Sequence, residues 1–288
     1  MKCKGAGLIA LFLLLTACGP TADEVYQEAN RHFASENFKA AIPIYEQLLI
    51  RDANNLNVHA KLAIAYGRTG DWAKCADSGT AALANKVELY EIYLQTGHCF
   101  EQLKQPAQAL DMYGQGQKKF PDRLDLTERV ALLHYQQKQF PQASALFKEL
   151  SDAAPGNAEY AYNAASVLEA QKQYDVAETY YRRVLEHDPK HANASFGLGS
   201  VFEKRGEDEI ALGFYEKALK YNPAHLSALL NLAQLQEPRQ PRKALESWKS
   251  YLKLAQEGKQ PEKFIRQAQE RIRILEGGSK AAQNTSKR

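Results

Sequence analysis

Residues 158–191 read AEYAYNAASVLEAQKQYDVAETYYRRVLEHDPKH, and this stretch decides the fold. Ala161, Ala164, Ala165 and Leu168 follow the i, i+3, i+4, i+7 spacing of one helical face. A polar turn follows at Gln171 to Gln173. Tyr174, Ala177, Tyr181 and Val184 then mark a second helix, which Asp188-Pro189 ends because proline cannot continue it and restrains the residue before it. The stretch predicts helix, turn, helix within 34 residues.

Working outward, the same unit recurs on both sides. Ala41, Cys75, Ala109, Ala143, Ala177 and Ala211 lie 34 residues apart. So do Ala29, Ala63, Gly97, Ala131, Ala165, Gly199 and Ala233, and so do Tyr45, Gly79, Tyr113, Phe147, Tyr181 and Tyr215. Pro121, Pro155, Pro189 and Pro223 form a fourth ladder of the same period. The small residues let two helix backbones approach, and the aromatic fills the space beside them.

These ladders resemble the tetratricopeptide repeat, whose period and small, aromatic and proline positions they match. The resemblance implies an all-α, right-handed superhelical solenoid. Its units are 22–55, 56–89, 90–123, 124–157, 158–191, 192–225 and a seventh at 226–258, one residue short, in which Trp248 takes the aromatic position. Ala53 and Val87 replace the proline, and Gly79 and Gly116 stand where larger residues are usual, so the packing around Gly79 is expected to be thin. The stretch 259–276 contains PEKFIRQAQERIRILE with Phe264, Ala268, Ile272 and Leu275 apolar on one face, which suits the capping helix a solenoid requires. A disordered tail is expected over 277–288.

The first residues read as an address. Lys2 and Lys4 precede an apolar run from Leu8 to Leu15 that is too short to span a membrane as a mature helix. Leu15-Thr16-Ala17-Cys18 resembles the lipobox of bacterial lipoproteins. That resemblance implies a signal peptide over 1–17, lipid on Cys18 and a linker over 18–21. Gly19 rather than Asp after the cysteine points to the outer membrane, facing the periplasm.

Composition excludes several classes. The formal charge of +3 is too small to imply nucleic acid. The repeats hold 27 basic against 31 acidic residues, while Lys259 onward holds eight against three, so a mildly acidic array meets a basic end. No phosphate loop, nucleophile elbow or paired-histidine zinc motif occurs, and Pro189 breaks the helix that would align His187 with His191. No enzyme activity, cofactor, metal site or small-molecule substrate is expected. Four cysteines exclude a disulfide-built scaffold. Cys75 and Cys99 fall on neighbouring helices, where a disulfide and two buried free thiols both remain open.

In the tetratricopeptide family the first helices line a concave groove. Carried over by position, the resemblance implies a protein-binding groove of Tyr26, Asn30, Ile64, Arg68, His98, Glu101, Glu128, Tyr135, Tyr162, Glu169, Phe196, Glu203 and Lys204. Tyr26, Ile64, Tyr135, Tyr162 and Phe196 are apolar beyond what the repeat's own packing needs, and aromatic anchors near carboxylates suit a peptide carrying basic residues. The expected function is a non-catalytic protein-interaction scaffold held to the membrane through Cys18. Lipobox, short linker and consecutive repeats look like the type IV pilus pilotins, which help secretin subunits assemble. An adaptor for peptidoglycan-modifying enzymes or for a polysaccharide-export complex is the alternative.

Overall fold

The computed structural model describes residues 20–84 and 89–285, with side chains as far as residue 277. The expected signal peptide and Cys18 lie outside the described residues. Fifteen α-helices and no strand occur among the described residues: α1 Ala22–Ala34, α2 Phe38–Arg51, α3 Leu56–Thr69, α4 Trp72–Ala84, α5 Tyr90–Gln102, α6 Pro106–Lys119, α7 Leu124–Gln136, α8 Phe140–Ala153, α9 Ala158–Ala170, α10 Tyr174–His187, α11 Ala192–Lys204, α12 Asp208–Tyr221, α13 Leu226–Gln236, α14 Pro241–Glu257 and α15 Glu262–Thr285. The odd-numbered helices from α1 to α13 begin 34 residues apart. Two compact segments result, residues 1–133 and 134–288, with α7 crossing the division.

Each of the first six helix pairs turns through one residue in the left-handed conformation: Glu36, Gly70, Lys104, Lys138, Lys172 and Gly206, with φ between 58° and 83°. The next residue's N–H reaches back five residues, as in Gln173 to the Leu168 carbonyl at 2.9 Å and Glu207 to the Phe202 carbonyl at 2.9 Å. This closes the first helix of the pair and reverses the chain. Glycine adopts that conformation freely at Gly70 and Gly206, whereas the lysines and Glu36 carry steric strain there.

The core follows the ladders. Ala29, Ala41, Tyr45, Ala63, Tyr113, Ala143, Phe147, Ala165, Ala177, Tyr215 and Ala233 are buried. Fully burying a ring the size of Phe147 stabilises by about 2–3 kcal/mol. In the first segment one cluster joins Val25, Tyr45, Val58, Leu62, Tyr66, Cys75 and Cys99. Near the end of the second, Leu229, Ala233, Trp248, Tyr251 and Ala255 close over Ala268 of α15.

Three features differ from, or complete, the sequence reading. The packing around Gly79 is not thin, because the buried Thr96 side chain fills the space, and a Cβ on Gly79 would sit 2.0 Å from its Oγ1. Cys75 of α4 and Cys99 of α5 are joined as a disulfide, with their Cα atoms 6.2 Å apart. The last helix continues to Thr285, past residue 276 where a disordered tail was expected. Gly277 and Gly278 weaken a helix without stopping it, and no proline follows them.

Candidate functional site

The expected groove residues sit on the first helix of each pair, and their surroundings separate those that hold the fold from those that face outward. In the second segment, the Tyr162 ring of α9 lies 5.9 Å from Tyr181 and 5.4 Å from His191. One repeat later, the Phe196 ring of α11 lies 5.7 Å from Tyr215 and 4.8 Å from His225. Both rings are half-buried and supported from behind. The histidines are themselves fixed. His191 Nδ1 accepts the Ala194 N–H at 3.1 Å, and His225 Nδ1 accepts the Ala228 N–H at 3.2 Å, capping α11 and α13. Burial holds the His225 pKa below its ordinary value, which keeps Nδ1 unprotonated and able to accept.

The glutamates are committed inside the repeats. The Tyr181 hydroxyl donates to Glu169 at 2.8 Å, and Ser200 donates to the other Glu169 oxygen at 2.5 Å. Tyr215 donates to Glu203 at 2.5 Å and accepts from Asn231 at 3.0 Å. Trp248 donates to Glu237 at 2.7 Å, and Arg271 of α15 binds the same carboxylate. Burial first, and the facing carboxylate second, raise the Tyr181 hydroxyl well above the usual phenol range, so it remains a donor. In the first segment Tyr113 faces Glu101 in the same register, although its hydroxyl completes no hydrogen bond. Tyr45 instead donates to Asn30 at 2.7 Å.

A rule emerges from the register. A carboxylate stands on the first helix wherever the ladder aromatic opposite carries an O–H or N–H and no nearer acceptor such as Asn30 serves it. In the α7/α8 pair the ladder residue is Phe147, which has no donor, and the matching site holds Tyr135. Tyr135 is 39% exposed and tilts against Phe140 at 5.9 Å. Two of the carboxylates expected to read a basic peptide are engaged by neighbouring side chains, Glu169 through both oxygens and Glu203 through one.

The other expected residues divide similarly. Tyr26 packs edge-on to Tyr45 at 6.1 Å. Ile64 is not spare, since it packs against Ala60, Ala82 and Ile92. His98 lies edge-on to Trp72 at 5.7 Å. Glu128 is half-buried, while Arg68 and Lys204 are exposed at the ends of α3 and α11. The structure adds His191, His225, Ser200 and Asn231, which sequence reasoning missed. The signal was present for the first two, because Asn55, Asn157, His191 and His225 form a further polar ladder just before the first helices.

No group of three or more His, Cys, Asp or Glu side chains that could hold a metal ion occurs among the described residues. Among those residues no helix is long and apolar enough to cross a membrane.

The tetratricopeptide repeat family profile matches residues 94–158 and 162–220. No curated protein sequence matches the chain. Among solved structures, the C-terminal part of a repeat-containing protein from Cytophaga hutchinsonii is similar at 18% identity and a TM-score of 0.67, covering 84% of this chain and 98% of that one. YrrB, described as a repeat protein with an unusual peptide-binding site, is similar at 18% identity and a TM-score of 0.57, covering 64% and 95%. MamA is similar at 19% identity and a TM-score of 0.53, covering 57% and 97%. These likenesses establish the fold. With its ladders, its paired helices and this match, the chain is an all-α repeat solenoid whose residues 94–158 and 162–220 carry tetratricopeptide repeats.

Proposed function

We propose that this chain is a non-catalytic scaffold that captures a protein or peptide segment on the face presented by the first helices of its repeats. In this reading it is lipid-anchored through Cys18 at the outer membrane, faces the periplasm, and assists assembly of an envelope machine such as a type IV pilus or its secretin. The observation that carries the binding role is the aromatic register Tyr135, Tyr162 and Phe196. The last two rings are held by Tyr181 with His191 and by Tyr215 with His225. Rings fixed before a ligand arrives lose little freedom on binding, and such anchors carry much of an interface's energy. The disulfide between Cys75 and Cys99 supports an address outside the cytoplasm, where thiols oxidise. YrrB, whose description names a peptide-binding site, is a precedent for this use of the fold.

Photo-crosslinking tests the reading in cells. A benzophenone amino acid at position 135 or 204 should trap one recurrent partner, while the same group at Glu186 should not. Tyr135→Ala should weaken capture about tenfold with unchanged helicity, since this ring is exposed. Equal crosslinking at all three positions would remove the first-helix face from consideration. Metabolic labelling with a palmitate analogue, lost in Cys18→Ser, tests the anchor.

A further inference from the structure

Consecutive helices of the first segment alternate in direction. The start of α1, the α2–α3 connection, the end of α4 and the start of α5 therefore share one end. Ala22, Asp23 and Tyr26 of α1 accordingly line a cleft together with Leu48, Asn55 and Asn57. Helix α1 starts abruptly. Thr21 caps it through a reciprocal pair with Glu24, in which the Thr21 N–H donates to the Glu24 carboxylate at 2.7 Å and the Glu24 N–H donates to the Thr21 hydroxyl at 3.2 Å. Only Gly19, Pro20 and Thr21 separate this helix from Cys18, and three extended residues reach about 10 Å.

That same end carries two exposed aliphatic side chains. Ile50, in the last turn of α2, is 85% exposed, and Leu89, immediately before α5, is 50% exposed. Neither suits the fold. The position of Ile50 is occupied in the next five repeats by Ala84, Lys118, Asp152, Glu186 and Lys220. The position of Leu89 is occupied elsewhere by Asn55, Arg123, Asn157, His191 and His225. Four of those residues accept a backbone N–H from the helix they precede, whereas Leu89 makes no such bond and forgoes the stabilisation of a cap. Leu89 thus gives up a cap and faces outward, and Ile50 is the most exposed large hydrophobic among the described residues, so both are open to contacts outside the chain.

We propose that this end of the first segment lies on the bilayer that holds Cys18, with Ile50 and Leu89 in contact with lipid. The proposal deepens the lipid-anchored reading above and rests on it. The short linker keeps the surface within reach, and the two side chains fix which face of α1 to α5 meets it. The exposed Arg51 beside Ile50 can extend its guanidinium to headgroup phosphates while its stem stays on the apolar side. The acyl chains supply the anchoring; Ile50 and Leu89 set orientation.

The test uses the lipidated full-length protein in phosphatidylethanolamine–phosphatidylglycerol vesicles, with and without brominated acyl chains. Ile50→Trp, Leu89→Trp and, as a control, Glu186→Trp are compared with the parent, whose Trp72 and Trp248 give the background emission. All three sites avoid the buried core, and circular dichroism checks the fold of each variant. The added emission at 50 and 89 should fall at least twofold in brominated vesicles, and that at 186 should not change. A vesicle-bound protein whose added emission is equally unquenched at all three sites overturns the orientation while leaving the lipid anchor intact. A wild-type chain that takes up no palmitate analogue and does not float with vesicles overturns both. Loss of protein capture in Ile50→Asp with Leu89→Asp, without quenching in the Trp variants, assigns the patch to a protein partner and overturns the lipid contact.

Discussion

A half-buried glutamate is stable only when something donates to it, and Glu169 shows how closely this chain observes that requirement. Tyr181→Phe removes one donor while leaving the carboxylate in place, so a loss of about 1–2 kcal/mol is expected in urea unfolding. Glu169→Gln separates the structural from the recognition role. A mostly structural Glu169 predicts that stability falls while partner capture by the folded protein is retained. The reverse outcome, full stability with lost capture, would return this residue to the binding face. The turn residues make a second case. Lys104 holds φ at 58°, which costs a non-glycine residue about 1–2 kcal/mol relative to ordinary helix geometry. Glycine relieves that strain and adds unfolded-state freedom, so Lys104→Gly should raise stability by about 0.5 kcal/mol, readable as a higher melting temperature.

The disulfide joins α4 to α5 beside the α3/α4 pair, in which Gly79 stands at the aromatic ladder position. Closing a 24-residue separation constrains the unfolded chain by about 3 kcal/mol, so Cys75→Ala with Cys99→Ala should lose roughly that much. Reductant should then destabilise the parent and leave the double variant unaffected. Helix α13 carries a pH dependence. His225 binds a proton less readily folded than unfolded, because it is buried and its neutral Nδ1 caps the helix. Its contribution is complete above about pH 6.5, declines as pH falls below that, and levels off once the folded histidine is protonated. His225→Asn keeps a capping side chain and should flatten the stability slope between pH 6.5 and 5, measured by urea midpoints. The helices themselves were legible from the sequence because the small-residue ladder repeats through seven units, with aromatics in six and proline in four. The turn conformation was not, because Lys104, Lys138 and Lys172 are ordinary surface lysines by type and their strain lives in the backbone. The disulfide stayed open for a similar reason, since residue spacing does not give a Cα separation. The expected groove residues fall on the first helix of each pair, while the contacts behind them were not legible. Position alone does not reveal that Tyr181 and Tyr215 turn their hydroxyls onto Glu169 and Glu203.

For the molecule as a whole, the terminal helix decides solubility. Ile265, Ala268, Ile272 and Leu275 of α15 cover the α14 surface around Tyr251 and Ala255. A chain ending at Gly258 should expose that surface and self-associate, visible as early elution in gel filtration, while helicity up to Glu257 persists. The polar pairs have one further consequence, which concerns how such an array can be rewritten. The α11/α12 pair completes its Tyr215–Glu203 contact internally and meets its neighbours through non-covalent contacts such as Ser200–Glu169 and Asn231–Tyr215, so residues 192–225 behave like a word that can be copied in tandem. The α3/α4 pair cannot be moved that way. Its glycines are filled by Thr96 and approached by Gln95, both from α5, and Cys75 is sewn to Cys99 on the same helix. Lengthening or shuffling the solenoid would have to treat residues 56–123 as a single inseparable phrase.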